Sequence, residues 1–259
     1  MNQFNPTNTF STDRFIHLCK RAFVINQRQW LIGLIASIGI VLTIWMVPTL
    51  FILVLTESEV SRFENSFHIA FMTFTLWGLL LTSDIFQELN TPATAFQSLT
   101  LPATSTEKFL SAWFITVPVF LIITIIAILL ITLLSALVLI MFGGTPTGLN
   151  VYNPLDRTTW EFALNYLFLN SLFLLGAIYF RKNNFLKTIA AFIALMLSFF
   201  IVWGFLGWAY IQLLGLDHLS FEFITSGPIS YVLGSLSKWV ITSIALLLTY
   251  VSLKRQQVV

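Results

Sequence analysis

Charged residues are scarce in this chain. Asp, Glu, Lys and Arg make up 9% of its 259 residues, whereas hydrophobic residues make up 57%. About a quarter of a typical soluble domain is charged, and a domain as apolar as this one could not keep its surface in water. The composition therefore excludes a soluble globular protein and predicts an all-α protein that crosses a membrane several times.

Cysteine and histidine are also rare. The single cysteine, Cys19, cannot form an internal disulfide, and we expect it to act as a small apolar residue, with palmitoylation as the alternative. The three histidines, His17, His68 and His218, are spread over both predicted membrane surfaces. We therefore expect no metal site, and the chain lacks the Ser–His, paired Asp or His-Glu-x-x-His arrangements of intramembrane proteases.

The middles of the predicted spans contain no ionisable residue, which argues against a proton- or ion-coupled carrier. The chain also lacks a Gly-x-x-x-x-Gly-Lys-Ser/Thr phosphate loop, so we expect it not to hydrolyse ATP itself. No catalytic residue is predicted. The polar residues that remain in the spans are Asn165, Asn170 and Gln212, for which we expect hydrogen bonds between helices, with substrate contact as the alternative.

Six stretches are long and apolar enough to cross a hydrocarbon core of about 30 Å, which takes about 20 residues of helix. The predicted spans are approximately 30–55, 63–83, 109–142, 160–180, 185–214 and 232–253, within a single transmembrane domain that covers residues 1–259. An even number of spans places both ends of the chain on one side of the membrane. We expect no cleaved signal peptide, because a polar stretch of about thirty residues precedes the first span.

The distribution of Lys and Arg predicts which side that is. Ten of the 13 cations fall on the side of the termini, and three, Arg62, Arg157 and Lys238, fall on the other. Cytoplasmic loops of membrane proteins are enriched in Lys and Arg, so we expect both termini to be cytoplasmic. These cations are strung along one membrane face and form no basic domain, so we expect no nucleic-acid partner.

Residues 10–28 have the pattern of an amphipathic helix that lies in the membrane surface. At 100° per residue, one side gathers apolar residues that include Phe15 and Leu18, and the other gathers Arg14, Lys20 and Arg21. We expect this interfacial helix to anchor the first span. Contact with a cytoplasmic partner is a further, compatible role.

A polar segment interrupted by prolines, residues 84–108, separates spans two and three. Thr91 is placed to cap a short helix that begins with Pro92 at its first position and ends near Leu99. Pro102 then prevents this short helix from continuing. Thr104 and Glu107 have the spacing of a capping box that starts the next helix. The sequence thus predicts a short cytoplasmic helix between two membrane spans.

Two further segments are irregular. Span three has 34 residues, or roughly 50 Å of helix, so it must protrude or bend, and Pro118 is the expected site of a kink. Residues 215–231 mix apolar side chains with Asp217, Glu222, Gly227 and Pro228. We expect a re-entrant or surface hairpin there, with a plain linker before span six as the alternative.

This layout resembles the membrane subunit of an ATP-binding-cassette (ABC) exporter of the type-2 permease class. The basic stretch FSTDRFIHLCKRAFVINQRQWL resembles that family's interfacial connecting helix, and FQSLTLPATSTEKFLSAW resembles the LxLPxSxxEkfLs.W segment that follows the coupling helix of bacterial members. The resemblance covers nearly the whole chain. Its most specific part is LPATSTEKFLS.

The resemblance implies a bacterial inner-membrane protein that pairs with a second permease copy or paralogue and with a separate ABC ATPase subunit, which would hold the ATP and Mg²⁺. No cofactor is expected in this chain. The coupling helix would span about Thr91 to Ser98, and the residues expected at the ATPase docking surface are Glu88, Thr91, Pro92, Phe96, Leu99 and Pro102. Glu107 and Lys108 are expected to be structural, as a helix cap and a membrane-surface anchor.

The expected function is therefore the permease half of an ATP-driven exporter of a hydrophobic or amphipathic substrate. The alternative is a membrane scaffold or sensor partner that transports nothing, which would not bring an ATPase subunit with it on purification. A lipid-modifying enzyme is a third possibility, but it would need a catalytic cluster that the spans and their borders lack.

Overall fold

The computed structural model describes residues 10–56, 64–87, 103–141, 152–180, 183–214 and 228–258. All regular structure within these ranges is helical, as predicted. The helices are α1 (Thr12–Thr56), α2 (Glu64–Asp84), α3 (Ser105–Phe114), α4 (Phe120–Met141), α5 (Arg157–Tyr179), α6 (Asn184–Leu214) and α7 (Pro228–Val258). A π-helical turn, Ile115–Val119, joins α3 to α4, so the two form one long element.

Helix α1 runs for 45 residues without interruption. The boundary predicted between an interfacial helix at residues 10–28 and a first span at residues 30–55 is therefore absent. Between Thr12 and Trp30 the sequence has neither glycine nor proline, so no residue there favours a helix end. At 1.5 Å per residue α1 is about 68 Å long, roughly twice the thickness of the hydrocarbon core.

Among the residues that the structure describes, five helical segments are long and apolar enough to cross a membrane: Thr12–Pro48, Ser105–Val138, Arg157–Tyr179, Asn184–Leu206 and Leu236–Arg255. Helix α2 covers the stretch predicted as the second span but does not belong to this set. It carries His68, Thr82, Ser83 and Asp84 among its 21 residues. Thr82 and Ser83 are buried, and the Thr82 hydroxyl accepts a hydrogen bond from Asn170 on α5.

The start of α3 matches the sequence prediction in detail. Thr104 is the N-cap residue, and its side chain accepts a hydrogen bond from the backbone N–H of Glu107 while Glu107 reaches back to the Thr104 N–H. The predicted capping box is confirmed. Pro118 lies inside the π-helical turn, so the irregularity expected there takes the form of a widened turn.

Successive long helices run in opposite directions, and one end of the bundle collects the starts of α1, α3 and α6 with the ends of α2, α5 and α7. Contacts within this end include the Thr106 and Tyr250 hydroxyls at 3.4 Å and the Phe173 and Phe185 rings at 5.5 Å. Because residues 88–102 connect α2 to α3 there, we call it the loop end. Both the first and the last described helix have their outer termini at the loop end.

Aromatic rings form the centre of the core, where α1, α2, α4 and α5 meet. Phe120 is stacked on Tyr166 at 4.7 Å and lies 5.2 Å from Trp77 between ring centroids. Gly78 makes this possible, since a Cβ there would lie 2.5 Å from the Phe120 ring. Helix α6 is packed differently from these core helices. In the most hydrophobic stretch of Asn184–Leu206, no residue is buried in the single chain.

At the opposite end, Asp156 is the N-cap of α5. It accepts hydrogen bonds from the Thr158 hydroxyl and the Arg157 N–H, which hold the pKa of its carboxyl below the usual value. The hairpin predicted before span six falls mostly on residues 215–227, outside the described residues. Helix α7 begins at Pro228, four positions before the predicted start of that span.

Candidate functional site at the loop end

The residues expected to contact an ATPase lie outside the described residues. Glu88, Thr91, Pro92, Phe96, Leu99 and Pro102 all belong to residues 88–102. The structure does describe the two flanks of this segment. Helix α2 ends at Asp84, whose pKa is raised by burial, and the chain resumes at Ala103 directly before the cap of α3.

A buried carboxylate fixes the second flank. The Glu107 side chain is fully buried and accepts hydrogen bonds from the Ser11 N–H through Oε1 and from the Thr104 N–H through Oε2, both at 2.8 Å. The Arg14 guanidinium lies 3.2 Å from Oε1. We call Ser11, Arg14, Thr104 and Glu107 the Glu107 joint. It connects the first turn of α1 to the first turn of α3.

The chemistry of the Glu107 joint explains why the carboxylate tolerates burial. A buried ionised group is costly unless it is paired and hydrogen-bonded, and here both oxygens accept from backbone donors while a cation lies beside one of them. The two backbone donors come from helix starts, which leave N–H groups without partners inside the helix. The Glu107 side chain thus accepts a hydrogen bond from one backbone N–H at the start of each of two helices.

The five residues predicted for the interfacial helix differ in exposure and in what they contact. Phe15 packs edge-on against Phe114 at 5.8 Å, and Leu18 is half-buried. Lys20 is exposed, in keeping with the predicted polar face. Arg14 departs from the prediction, because it turns toward Glu107, and Arg21 is half-buried. Part of the predicted membrane-facing side therefore packs on protein.

A second polar group lies deeper, between α2, α5 and the π-helical turn. The Asn170 amide Nδ2 donates to the Thr82 hydroxyl at 2.7 Å, and the Tyr166 hydroxyl donates to the Thr116 carbonyl at 2.7 Å. All four residues are buried. We call them the polar junction. The Asn170 Oδ1 has no hydrogen-bond partner among the described residues.

The π-helical turn supplies the acceptor of the polar junction. In a regular helix the Thr116 carbonyl would accept from the Phe120 N–H, but that N–H donates to the Val117 carbonyl instead. The released carbonyl of Thr116 then accepts from Tyr166 on α5. The backbone carbonyl that the π-helical turn leaves available thus accepts a hydrogen bond from the Tyr166 hydroxyl on another helix.

The three polar span residues are not brought together. Asn170 makes the interhelical bond expected of it. Asn165 is exposed, and its Oδ1 accepts from the Nζ of Lys238 on α7 at 3.1 Å. Gln212 is exposed near the far end of α6. The structure therefore gathers no polar pocket from these three side chains.

Sequence reasoning did not predict two of the links at the loop end. Glu107 was expected to cap α3 alone, but it also binds the start of α1, 96 positions earlier. Asn184, at the start of α6, donates to the Ser83 carbonyl at 3.3 Å. Neither partner is indicated by local spacing, because both links join helices that are distant in sequence.

The described residues contain no group of three or more His, Cys, Asp and Glu side chains placed to hold a metal ion. The chain matches no protein-family model, no curated protein and no solved structure.

Proposed function

We propose that this chain is the permease half of an ATP-driven exporter, coupled to a separate ATPase subunit and moving a hydrophobic or amphipathic substrate. The proposal starts from the resemblance of residues 10–31 and 96–113 to the type-2 class of ABC exporter membrane subunits. The helical bundle with five segments apolar enough to cross a membrane is compatible with that role.

The Glu107 joint is the observation that supports the proposal best. A segment that transmits force from an ATPase must be attached firmly to the spans it moves. Residues 88–102 end one residue before Thr104, whose backbone N–H donates to Glu107 and whose side chain accepts from the Glu107 N–H. Because Glu107 also binds Ser11, displacement of this segment would move the starts of α3 and α1 together.

The unburied face of α6 supports the second part of the proposal, a dimer of permeases. Large apolar side chains are exposed along it, including Phe200, Ile201 and Trp203, and α1 exposes Leu31, Ile32 and Ile35. We propose that a second copy or a paralogue covers part of these two surfaces and that lipid covers the rest. Each permease would then supply one side of the pathway.

Affinity purification tests the proposal directly. The tagged chain, expressed in its native host and solubilised in mild detergent, should bring down an ABC ATPase in a 1:1 ratio and a second permease subunit. Reconstituted with that ATPase, the complex should hydrolyse ATP. Purification of the chain without an ATPase under several detergents would favour the scaffold or sensor role.

A further inference from the structure

A strip of polar side chains begins at the end of the bundle opposite the loop end and follows the outer surface of α5. Arg157, Glu161 and Asn165 recur every fourth residue, so they lie on one side of this helix. Lys238 on α7 joins them, because its Nζ donates to the Asn165 Oδ1 at 3.1 Å. All four residues are exposed. We call them the polar strip.

The inner end of the polar strip, formed by Asn165 and Lys238, lies in the apolar part of the bundle. Asn165 is eight residues after Arg157, or about 12 Å along α5. Asn165 and Lys238 both belong to segments apolar enough to cross a membrane, and the nearby apolar side chains Leu164 and Ile241 are exposed. An ionisable residue inside a membrane-spanning segment is costly and by default indicates a functional site.

The charges of the polar strip do not cancel. The Arg157 Nε donates to the Glu161 Oε1 at 2.7 Å, so these two residues form an ion pair. Within the part of the chain that the structure describes, the Lys238 ammonium has the neutral Asn165 amide as its one partner. Because the Asn165 Oδ1 accepts from Lys238, the two N–H groups of its Nδ2 are left to donate elsewhere. The inner end therefore presents a positive charge and further N–H donors, which suit an anionic ligand.

The surface beyond this end indicates the rest of the ligand. One turn further along α5 the half-buried residues Phe168 and Leu169 are apolar, and one turn further along α7 lies the exposed Ile241. After Asn165, α5 carries no further charged residue, and α7 carries none between Lys238 and Lys254. An anionic group at Lys238 would therefore have apolar surface on its inner side, where a hydrocarbon tail could lie.

We propose that Lys238 and Asn165 bind the phosphate or carboxylate group of an anionic amphiphile, whose apolar tail lies along α5 and α7 beyond them. The Lys238 ammonium supplies the charge, and the Asn165 Nδ2 donates a second hydrogen bond. An aspartate at position 165 would pair with Lys238 and cancel this charge, whereas the amide leaves it available. The inference does not depend on the proposed function, because it requires only that α5 and α7 lie in a bilayer.

The first test uses the unaltered protein. Delipidated protein in a neutral detergent is titrated with phosphatidylglycerol and with diacylglycerol of the same chains, which lacks the phosphate, and native mass spectrometry counts the bound molecules. We expect phosphatidylglycerol to bind the tightest site about tenfold more strongly, as one charge-assisted hydrogen bond predicts. Equal binding of the two lipids would overturn the proposal.

Competition distinguishes the sources of the anionic group. Inorganic phosphate at the same concentration should not displace phosphatidylglycerol, because it has no tail, and displacement by it would contradict the assignment of an amphiphile. Dodecyl phosphate carries the same anionic group on a single chain. Displacement by dodecyl phosphate would support a site for single-chain amphiphiles, and resistance to it would support a site for a two-chain membrane phospholipid.

Variants assign the site, because basic residues at the loop end also attract anionic lipids. Lys238→Gln should abolish the preference for phosphatidylglycerol at the tightest site. The control Lys254→Gln changes an exposed lysine near the other end of the same helix and should keep that preference. An undiminished preference in Lys238→Gln would overturn the proposal. Dissociation of a permease dimer in Lys238→Gln, with the lipid preference retained, would assign the lysine to a protein partner instead.

Asn165→Asp separates ligand binding from a purely structural role. The new carboxylate has the shape of the amide and should form an ion pair with Lys238, so thermal stability in detergent should be kept or raised. The preference for phosphatidylglycerol should nevertheless disappear, because the positive charge is cancelled and the Nδ2 donors are lost. If Asn165 only holds Lys238 in place, the variant will keep the lipid preference, and the proposal will be wrong.

Discussion

The carboxylate of Glu107 accepts a hydrogen bond from the backbone N–H of Ser11 at 2.8 Å, although 96 positions separate the two residues. Together with the Arg14 ion pair, this contact links the start of the first helix to the start of the third. It also explains why Glu107, an ordinary capping residue by sequence, is fully buried.

Replacing Glu107 should destabilise the fold more than replacing an exposed carboxylate. Glu107→Ala leaves the Ser11 and Thr104 N–H groups and Arg14 without their shared acceptor, and we expect a loss of about 2 kcal/mol or more. Glu107→Gln keeps the acceptor of a capping box and should be intermediate. Thermal unfolding in detergent measures the order of the variants.

The matched control is Glu161→Ala. Glu161 pairs with Arg157 at 2.7 Å four residues earlier on α5, but both side chains are exposed. We expect a change of about 0.5 kcal/mol or less. Equal destabilisation by Glu107→Ala and Glu161→Ala would show that the Glu107 joint does not hold the two helices together.

Two glycines should respond in opposite ways to substitution by alanine. A Cβ at Gly176 would lie 1.9 Å from the Thr188 hydroxyl oxygen, whose position is fixed because it donates to the Asn184 carbonyl. Gly176→Ala should therefore push α5 and α6 apart and cost about 1–3 kcal/mol. A Cβ at Gly204 would have no atom of another described residue within 4 Å beyond its own stretch of helix, so Gly204→Ala should be neutral or gain up to about 1 kcal/mol of helix propensity. Thermal unfolding of both variants in the same detergent tests the contrast, which would be refuted by a similar loss at the two sites.

Removing the Tyr166 hydroxyl should loosen the polar junction. Tyr166→Phe deletes the donor to the Thr116 carbonyl, and interhelical hydrogen bonds in membranes contribute about 0.6 kcal/mol on average and up to about 1.7. We expect a value in the upper half of that range, because Tyr166 is 1% exposed. Tyr179→Phe, 77% exposed on the same helix, should change stability little. Equal melting temperatures for the two variants would mean that the hydroxyl contributes nothing.

Phe96 should be the anchor of ATPase docking, if residues 92–99 form the coupling helix. It is the one large aromatic residue in that stretch, and such anchors can carry about 2 kcal/mol or more of an interface. Phe96→Asp should weaken retention of the ATPase in pull-down assays while leaving expression and thermal stability unchanged. Lost stability with normal ATPase retention would instead place Phe96 at the membrane surface.

Cysteine labelling should establish the orientation of the chain. In a Cys19→Ser background, single cysteines at Ser58, Thr147 and Ser220 should react with an impermeant reagent added outside intact cells. Cysteines at Thr94 and Asn183 should react only after the membrane is permeabilised. Labelling of Thr94 in intact cells would reverse the orientation and remove the ground for an ATPase contact.

Local patterns allowed much of the helical architecture to be predicted. The capping box at Thr104 depends on residues a few positions apart and was predicted correctly. At Pro118 a kink was predicted, and the structure has a π-helical turn there. The continuity of α1 was not predicted, because amphipathic and apolar stretches were treated as separate helices. A change in the surroundings of a helix does not end it when no residue interrupts its hydrogen bonds.

The candidate site was less accessible to sequence reasoning. The pairing of Arg14 with Glu107 depends on how α1 packs against α3, and that arrangement comes from apolar contacts such as Phe15 against Phe114. By periodicity alone, Arg14 belongs to a solvated face. The predicted docking residues, from Glu88 to Pro102, fall outside the described residues and stay predictions.

The π-helical turn determines where a residue can be deleted between α3 and α4 without changing which side chains face the bundle. The residues that point into the bundle recur every fourth position from Glu107 through Ser111 to Ile115, then after five positions at Phe120, and every fourth again at Thr124 and Ile128. The turn therefore absorbs one surplus residue without changing which side faces inward. Deleting Pro118 would leave an even spacing of four, whereas deleting any single residue within α4 would rotate everything beyond it by about 100°. At this turn the chain can lose a residue and keep the inward-facing side chains of α3 and α4 aligned.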